Sequence, residues 1–295
     1  MTPEAAGARL GPGKAIGGTI AFLLSGGGLA FLLLGFLGRV VPEAAPALLA
    51  TDPAPGALLA QGLVLTAAFG LATWAIGLRV MRLGPAVLGL PPLTQGIRGL
   101  GRGVLLGAIP AAAAMLLAVP AGGASWRFDG GTVAAWGVVT ASTGAALLPA
   151  ALAEELIFRG LPVAVGALAF GRPAAVLALA VLFAAGHAGN PGIGWLGALN
   201  IALAGVLLGV AFFLPGGLWT ATGAHLGWNL SLAALAAPVS GLPFPMPGLD
   251  YVAGAPQWLT GGGFGPEGGL LATLTLSGTI LVATRTLTHT KEREA

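Results

Sequence analysis

Long apolar runs, separated by short polar or Gly- and Pro-containing breaks, fill most of the chain. Each run approaches the roughly 20 residues that cross a bilayer core. They predict about eight spanning helices, over 15–38, 57–78, 103–120, 132–158, 173–188, 194–214, 217–237 and 268–285. The first exceeds a typical signal-peptide core and more spans follow, so it reads as a retained helix. The fourth is too long for one straight crossing. Pro149 lies inside it and removes the backbone bond to Ala145, which predicts a kink or tilt. Gly160 and Pro162 are expected to close that helix. The segment 162–170 is too short to span and is expected as a short helix, at the interface or tucked against the bundle. The fold class is therefore all-α, a polytopic transmembrane bundle, with 1–295 as a single integral membrane domain.

Composition supports lipid as the main solvent. Hydrophobic residues make up 56% of the 295 positions and charged residues 8%, against roughly 25% charged in soluble domains. The 51 glycines, which would suggest loops in water, let helix backbones approach closely in a membrane. With no cysteine, disulfides, thiol catalysis and thiolate-bound metal are excluded. The basic residues stand singly between apolar runs and form no patch for nucleic acid.

Those basic residues report orientation instead. Arg9, Lys14, Arg79, Arg82, Arg98, Arg102, Arg159, Arg172, Arg285, Lys291 and Arg293 fall on one side of an alternating topology, and only Arg39 and Arg127 on the other. The second side also holds Glu43, Asp52, Asp129, Asp250 and Glu267. The positive-inside rule then predicts both termini in the cytoplasm and the Pro- and Gly-rich loop 238–267 outside, as a lid or membrane-surface element.

Ionisable groups inside apolar spans are costly and face the bundle interior. Here they are few: Glu154, Glu155 and Arg159 in one helix, His187 at the end of the next, and His225 with Asn229 in a third. Glu155 and Arg159 are four apart and share a face. Glu154 points about 100° away from Glu155 and is free to address a different cavity. His225 and Asn229 also share a face. Singly, each set has a structural explanation: an ion pair, an interface histidine, an interhelical clamp. Together they supply a general base and oxyanion donors, the parts needed for amide hydrolysis by an activated water. The third histidine, His289, falls in the polar tail.

Glu-Glu-x-x-x-Arg at 154–159, Phe-x-x-x-His at 183–187 and His-x-x-x-Asn at 225–229 resemble the three motifs of the CPBP family, which contains the type II CAAX prenyl endopeptidases and bacteriocin-processing proteins. The resemblance covers about 130–237, the motif-bearing core. It implies an intramembrane glutamic endopeptidase in which Glu154 activates the attacking water, His187 helps hold it, His225 and Asn229 support the oxyanion, and Glu155 and Arg159 are supporting positions. It implies neither cofactor nor metal, no nucleic acid, and a peptide or membrane-protein substrate in the bilayer, with lipidation of that substrate among the options. The expected location is a cell membrane, the cytoplasmic membrane of a bacterium. A zinc-dependent membrane metalloprotease using the same residues, and a non-catalytic scaffold or immunity protein, are the alternatives. The predicted boundaries place Glu154 near the cytoplasmic end of its span and His187 near the outer end of the next, so their meeting requires a deep cavity or a shifted or tilted helix.

Overall fold

A computed structural model describes residues 10–48, 55–121 and 123–294. Arg9 and Asp52 of the charge tally lie outside the described residues. Each predicted apolar run is occupied by a helix. These are α1 (Pro12–Val40), α2 (Pro55–Ala72, prolonged by a π-helical segment Thr73–Val80), α3 (Leu93–Ala118) and α4 (Val133–Glu155). After a shorter helix α5 (Leu161–Phe170) come α6 (Arg172–Gly186), α7 (Trp195–Phe212), α8 (Leu218–Ala234) and α9 (Leu270–Glu294). Among the described residues six helical runs are long and apolar enough to cross a membrane. Large apolar side chains such as Leu24, Phe31, Val138, Leu177 and Val282 face outward, as they must where lipid replaces water. The chain is an all-α, multi-pass membrane bundle.

Two differences from the sequence-based expectation bear on the site. Gly160 and Pro162 do not close the fourth helix. Helix α4 passes into a π-helical turn, Leu156–Gly160, and directly into α5, so that residues 133–170 form one continuous run of 38 residues. Pro162 lacks an N–H for the preceding turn, and the wide turn accommodates it without a stretch of coil. Helix α5 is tucked against the bundle, with Leu161, Val163, Ala164 and Val165 buried. Helix α6, by contrast, has only 15 residues, about 22 Å at 1.5 Å per residue, well short of the roughly 30 Å core. Glu154 is therefore inside a long helix and His187 caps a short one, which removes the apparent mismatch in depth.

Small residues set the tightest helix contact. Gly103 and Gly107 of α3 lie against Thr220, Gly223, Ala224 and Trp228 of α8, Gly223 and Gly227 lie against Leu100 and Val104 of α3, and Gly99 meets Gly216 just before α8. A methyl group added at Gly103, Gly107, Gly223 or Gly227 would overlap backbone atoms of the partner helix. Without a hydrophobic drive between helices in lipid, this close backbone approach is what binds them. Helix α3 begins at Leu93 rather than near 103, because its glycine-rich first turns are needed for this packing. Gly107→Leu is expected to force α3 from α8 and to destabilise the protein by about 1–3 kcal/mol or more. Gly101 has open space around it, and Gly101→Leu should match the parent. Loss of monodisperse protein on heating in detergent measures both, and equal behaviour of the two variants would contradict the packing account.

Helix α4 is seated against α2 in a similar way. Gly62 admits the backbone of Pro149 and Ala150, and the Thr66 hydroxyl donates to the Pro149 carbonyl at 2.9 Å. At one end of the bundle, strand β1 (Ala124–Arg127) pairs antiparallel with β2 (Asp250–Ala253). The indoles of Trp126 and Trp136 donate to the carbonyls of Leu235 and Ala234, at the end of α8. The indole bonds fasten β1 and the start of α4 to the end of α8, and the strand pairing holds residues 250–253 there.

Candidate active site

The three motif-bearing stretches converge. Glu155 is fully buried at the end of α4, and its Oε1 accepts from Arg159 Nη1 at 3.1 Å and is 2.9 Å from His225 Nδ1. Arg159 is also fully buried. Its Nη2 donates to the Gly205 carbonyl at 3.3 Å, and its guanidinium lies 4.2 Å over the Phe183 ring. A guanidinium held by a carboxylate, a carbonyl and an aromatic face has its donors directed and its plane fixed. Arg159 is accordingly part of the interior and not a loop anchor, which leaves ten basic residues to two in the orientation tally.

Phe183 sits at the centre of this arrangement. Its ring centroid is 5.2 Å from that of Phe158, 4.5 Å from His187 and 6.0 Å from His225. His187 follows α6 directly, and its Nδ1 lies 2.8 Å from the Phe183 carbonyl. A carbonyl only accepts, so this nitrogen carries hydrogen and Nε2 is left to face the cavity. His225 is fixed by the same logic, because Glu155 Oε1, which also accepts from Arg159, lies 2.9 Å from Nδ1. Both Nε2 atoms then point at one oxygen, Glu154 Oε2, at 3.8 Å from His187 and 3.9 Å from His225. That oxygen is buried and has no hydrogen-bond partner among the described residues. The two adjacent glutamates thus differ as their 100° divergence predicts: Glu155 is enclosed in an ion pair, and Glu154 is half-exposed with one oxygen between two imidazoles.

The histidines open onto a small cavity between α6, α7, α8 and the end of the 238–268 segment, with Asn229 also in its wall. It offers about 30 Å³ for the centres of water molecules, room for one or two waters. All six residues selected from the sequence in the three motifs are therefore gathered in one neighbourhood; the side chain of His289 lies outside the described ones. Sequence reasoning missed a further wall residue, Glu267, which counted only as an acidic residue of the outer loop. It is buried. Its Oε1 accepts from the Trp228 indole at 3.0 Å, and its Oε2 from the backbone N–H and hydroxyl of Ser240. Burial pushes its carboxyl above the usual carboxylate range, against the opposing pull of the Ser240 and Trp228 donors and of His187. The available signal was a carboxylate set among glycines immediately before an apolar helix, where nothing else accounted for it.

Among the described residues no group of three or more His, Cys, Asp or Glu side chains is disposed to hold a metal ion. In comparisons with known proteins, residues 132–231 match the family described as type II CAAX prenyl endopeptidase Rce1-like. No curated protein and no solved structure matches the chain.

Proposed function

For a chain whose residues 132–231 belong to the Rce1-like family of type II CAAX prenyl endopeptidases, we propose hydrolysis of a peptide bond inside the membrane by a water that Glu154 activates. The family match supports a membrane endopeptidase, and the residue roles proposed rest on the geometry of the site. The observation that carries it is the position of Glu154 Oε2 opposite two imidazole Nε2 atoms. The separations are too long for direct hydrogen bonds and suit a water placed among the three groups. Glu154 takes a proton from that water as its oxygen attacks the substrate carbonyl carbon. His187 orients the water through Nε2. His225 and Asn229 donate to the oxyanion of the tetrahedral intermediate. In that role His225 carries both ring protons, with Glu155 as its counter-charge. The intermediate collapses with cleavage of the C–N bond, and the proton held by Glu154 passes to the leaving amine, giving one carboxylic acid and one amine.

The substrate on this reading is a peptide or membrane protein, lipidated or not. The protein sits in a bacterial cytoplasmic membrane, with both termini and the 79–102 loop in the cytoplasm. The whole chain works as one unit around the motif-bearing core 130–237. Reporter fusions in the 79–102 loop should report the cytoplasm, and an external signal would overturn the orientation.

Cleavage of a membrane-tethered peptide by purified protein in liposomes tests the mechanism. His225→Ala and Asn229→Ala are each expected to slow it about 10²–10³-fold, the usual value of one oxyanion donor. A chelator should leave the parent rate unchanged. Unaltered cleavage in both variants would remove the oxyanion assignment. Activity lost to chelation and restored by zinc would replace this reading with a metalloprotease.

A further inference from the structure

The cavity behind the two histidines has room for water and none for a peptide, so substrate groups enter that part of the site only if its wall moves. One wall is the segment 238–249, which is rich in proline and glycine, lies over the cavity through Ser240, and is otherwise held by buried Val239 and Met246 and by the Gly241 N–H to the Phe264 carbonyl. The side chain of Glu267 holds the segment at Ser240. Glu267 is 6% exposed, and both of its oxygens are engaged: Oε2 receives the Ser240 N–H and hydroxyl, and Oε1 receives the Trp228 indole. Its own backbone is immobilised from another direction. The Asn200 side-chain amide of α7, itself buried, donates to the carbonyls of Glu267 at 2.7 Å and Gly269 at 2.8 Å, and its oxygen accepts from Thr273 at 2.6 Å. Glu267 thus stands on a fixed base and grips two things, the segment above the cavity and the residue before Asn229. A second, weaker tie is the Asn190 side chain, which donates to the Ser240 carbonyl at 3.0 Å.

We propose that Glu267 is a positioning residue that latches the 238–249 segment over the site as a lid, and that release of the Ser240–Glu267 contacts admits the substrate. The inference rests on the reading of this cavity as the proteolytic site, but the latch is measurable without any turnover. The architecture fits a gate better than a purely structural bond. Both oxygens of a buried carboxylate are committed to donors where the segment 238–249 meets the cavity wall.

The absence of cysteine makes the test direct. Ile201 is buried in the cavity wall on α7, and Ala164 is buried in α5 away from it. Ile201→Cys reports opening of the lid, and Ala164→Cys reports general loosening. With the latch intact, a charged methanethiosulfonate reagent should modify both slowly in detergent-solubilised full-length protein. Glu267→Gln keeps the shape but sets an amide N–H₂ or a neutral oxygen against the Ser240 donors. It is expected to accelerate modification of Ile201→Cys at least about tenfold, as the loss of a charge-assisted hydrogen bond predicts, and to leave the slow rate at Ala164→Cys unchanged. Ser240→Ala, which removes only the hydroxyl, should give a smaller acceleration. Equal rates with and without the latch, or acceleration of both cysteines together, would overturn the proposal. Repeating the measurement with Glu154→Gln present should leave every rate unchanged. A failed latch is thereby distinguished from a failed assignment of the catalytic base, which only cleavage assays can reveal.

Discussion

Glu154→Gln is expected to abolish peptide cleavage while the protein still inserts and stays monodisperse. The substitution preserves size and removes only the capacity to take a proton. Among the described residues the buried oxygen of Glu154 has no hydrogen-bond partner, and it faces the two imidazoles. Loss of a positioned general base typically costs about 10²–10⁴ in rate, enough to put cleavage below detection in a liposome assay. Rates should be compared with melting in detergent, which ought to be unchanged. If Glu154→Gln cleaves at the parent rate, the carboxylate is not the base. If it cleaves nothing but retains the full biological role of the protein in cells, the scaffold alternative is the better account.

The neighbouring carboxylate should behave in the opposite way. Arg159→Met leaves Glu155 as a fully buried carboxylate with His225 as its remaining partner, and Glu155→Leu strands a buried guanidinium. Removing one partner of a buried pair typically costs about 3–5 kcal/mol, whereas replacing both with apolar groups of similar volume is often neutral. Both single variants should therefore melt well below the parent in detergent, and the double variant Glu155→Leu with Arg159→Met should recover most of the loss. It should not recover cleavage, because His225 Nδ1 loses the acceptor that orients its ring. A double variant as active as the parent would show that Glu155 does nothing for His225. Single variants as stable as the parent would show that the pair contributes nothing to folding.

Much of this was legible along the chain, for physical reasons. Apolar runs mark lipid-embedded helices because a bilayer forces backbone hydrogen bonds inside each segment, and all eight runs hold helices. The motif residues were legible because ionisable groups in apolar helices demand a reason, and all six fall in one neighbourhood. What escaped is non-local or compensated. The strand at 124–127 pairs with one at 250–253, a separation over which no local pattern reports a partner. Gly160 and Pro162 carry a local stop signal that the π-helical turn absorbs. Glu267 looked like a loop acid because its donors, Trp228 and Ser240, are distant in sequence.

The glycine contact between α3 and α8 also bears on how this protein can be divided. Helix α3, Leu93–Ala118, lies wholly outside residues 132–231, yet it is the surface against which the helix carrying His225 and Asn229 is laid. Excised alone, the 132–231 stretch would present Gly223 and Gly227 to lipid, with no backbone to receive them. The recognisable stretch is thus not a portable cassette. Grafting it onto another set of helices would transfer every chemical group and still require a host with small residues spaced to receive α8. Domain-swapped chimaeras should succeed or fail on that seat before the chemistry is ever tried.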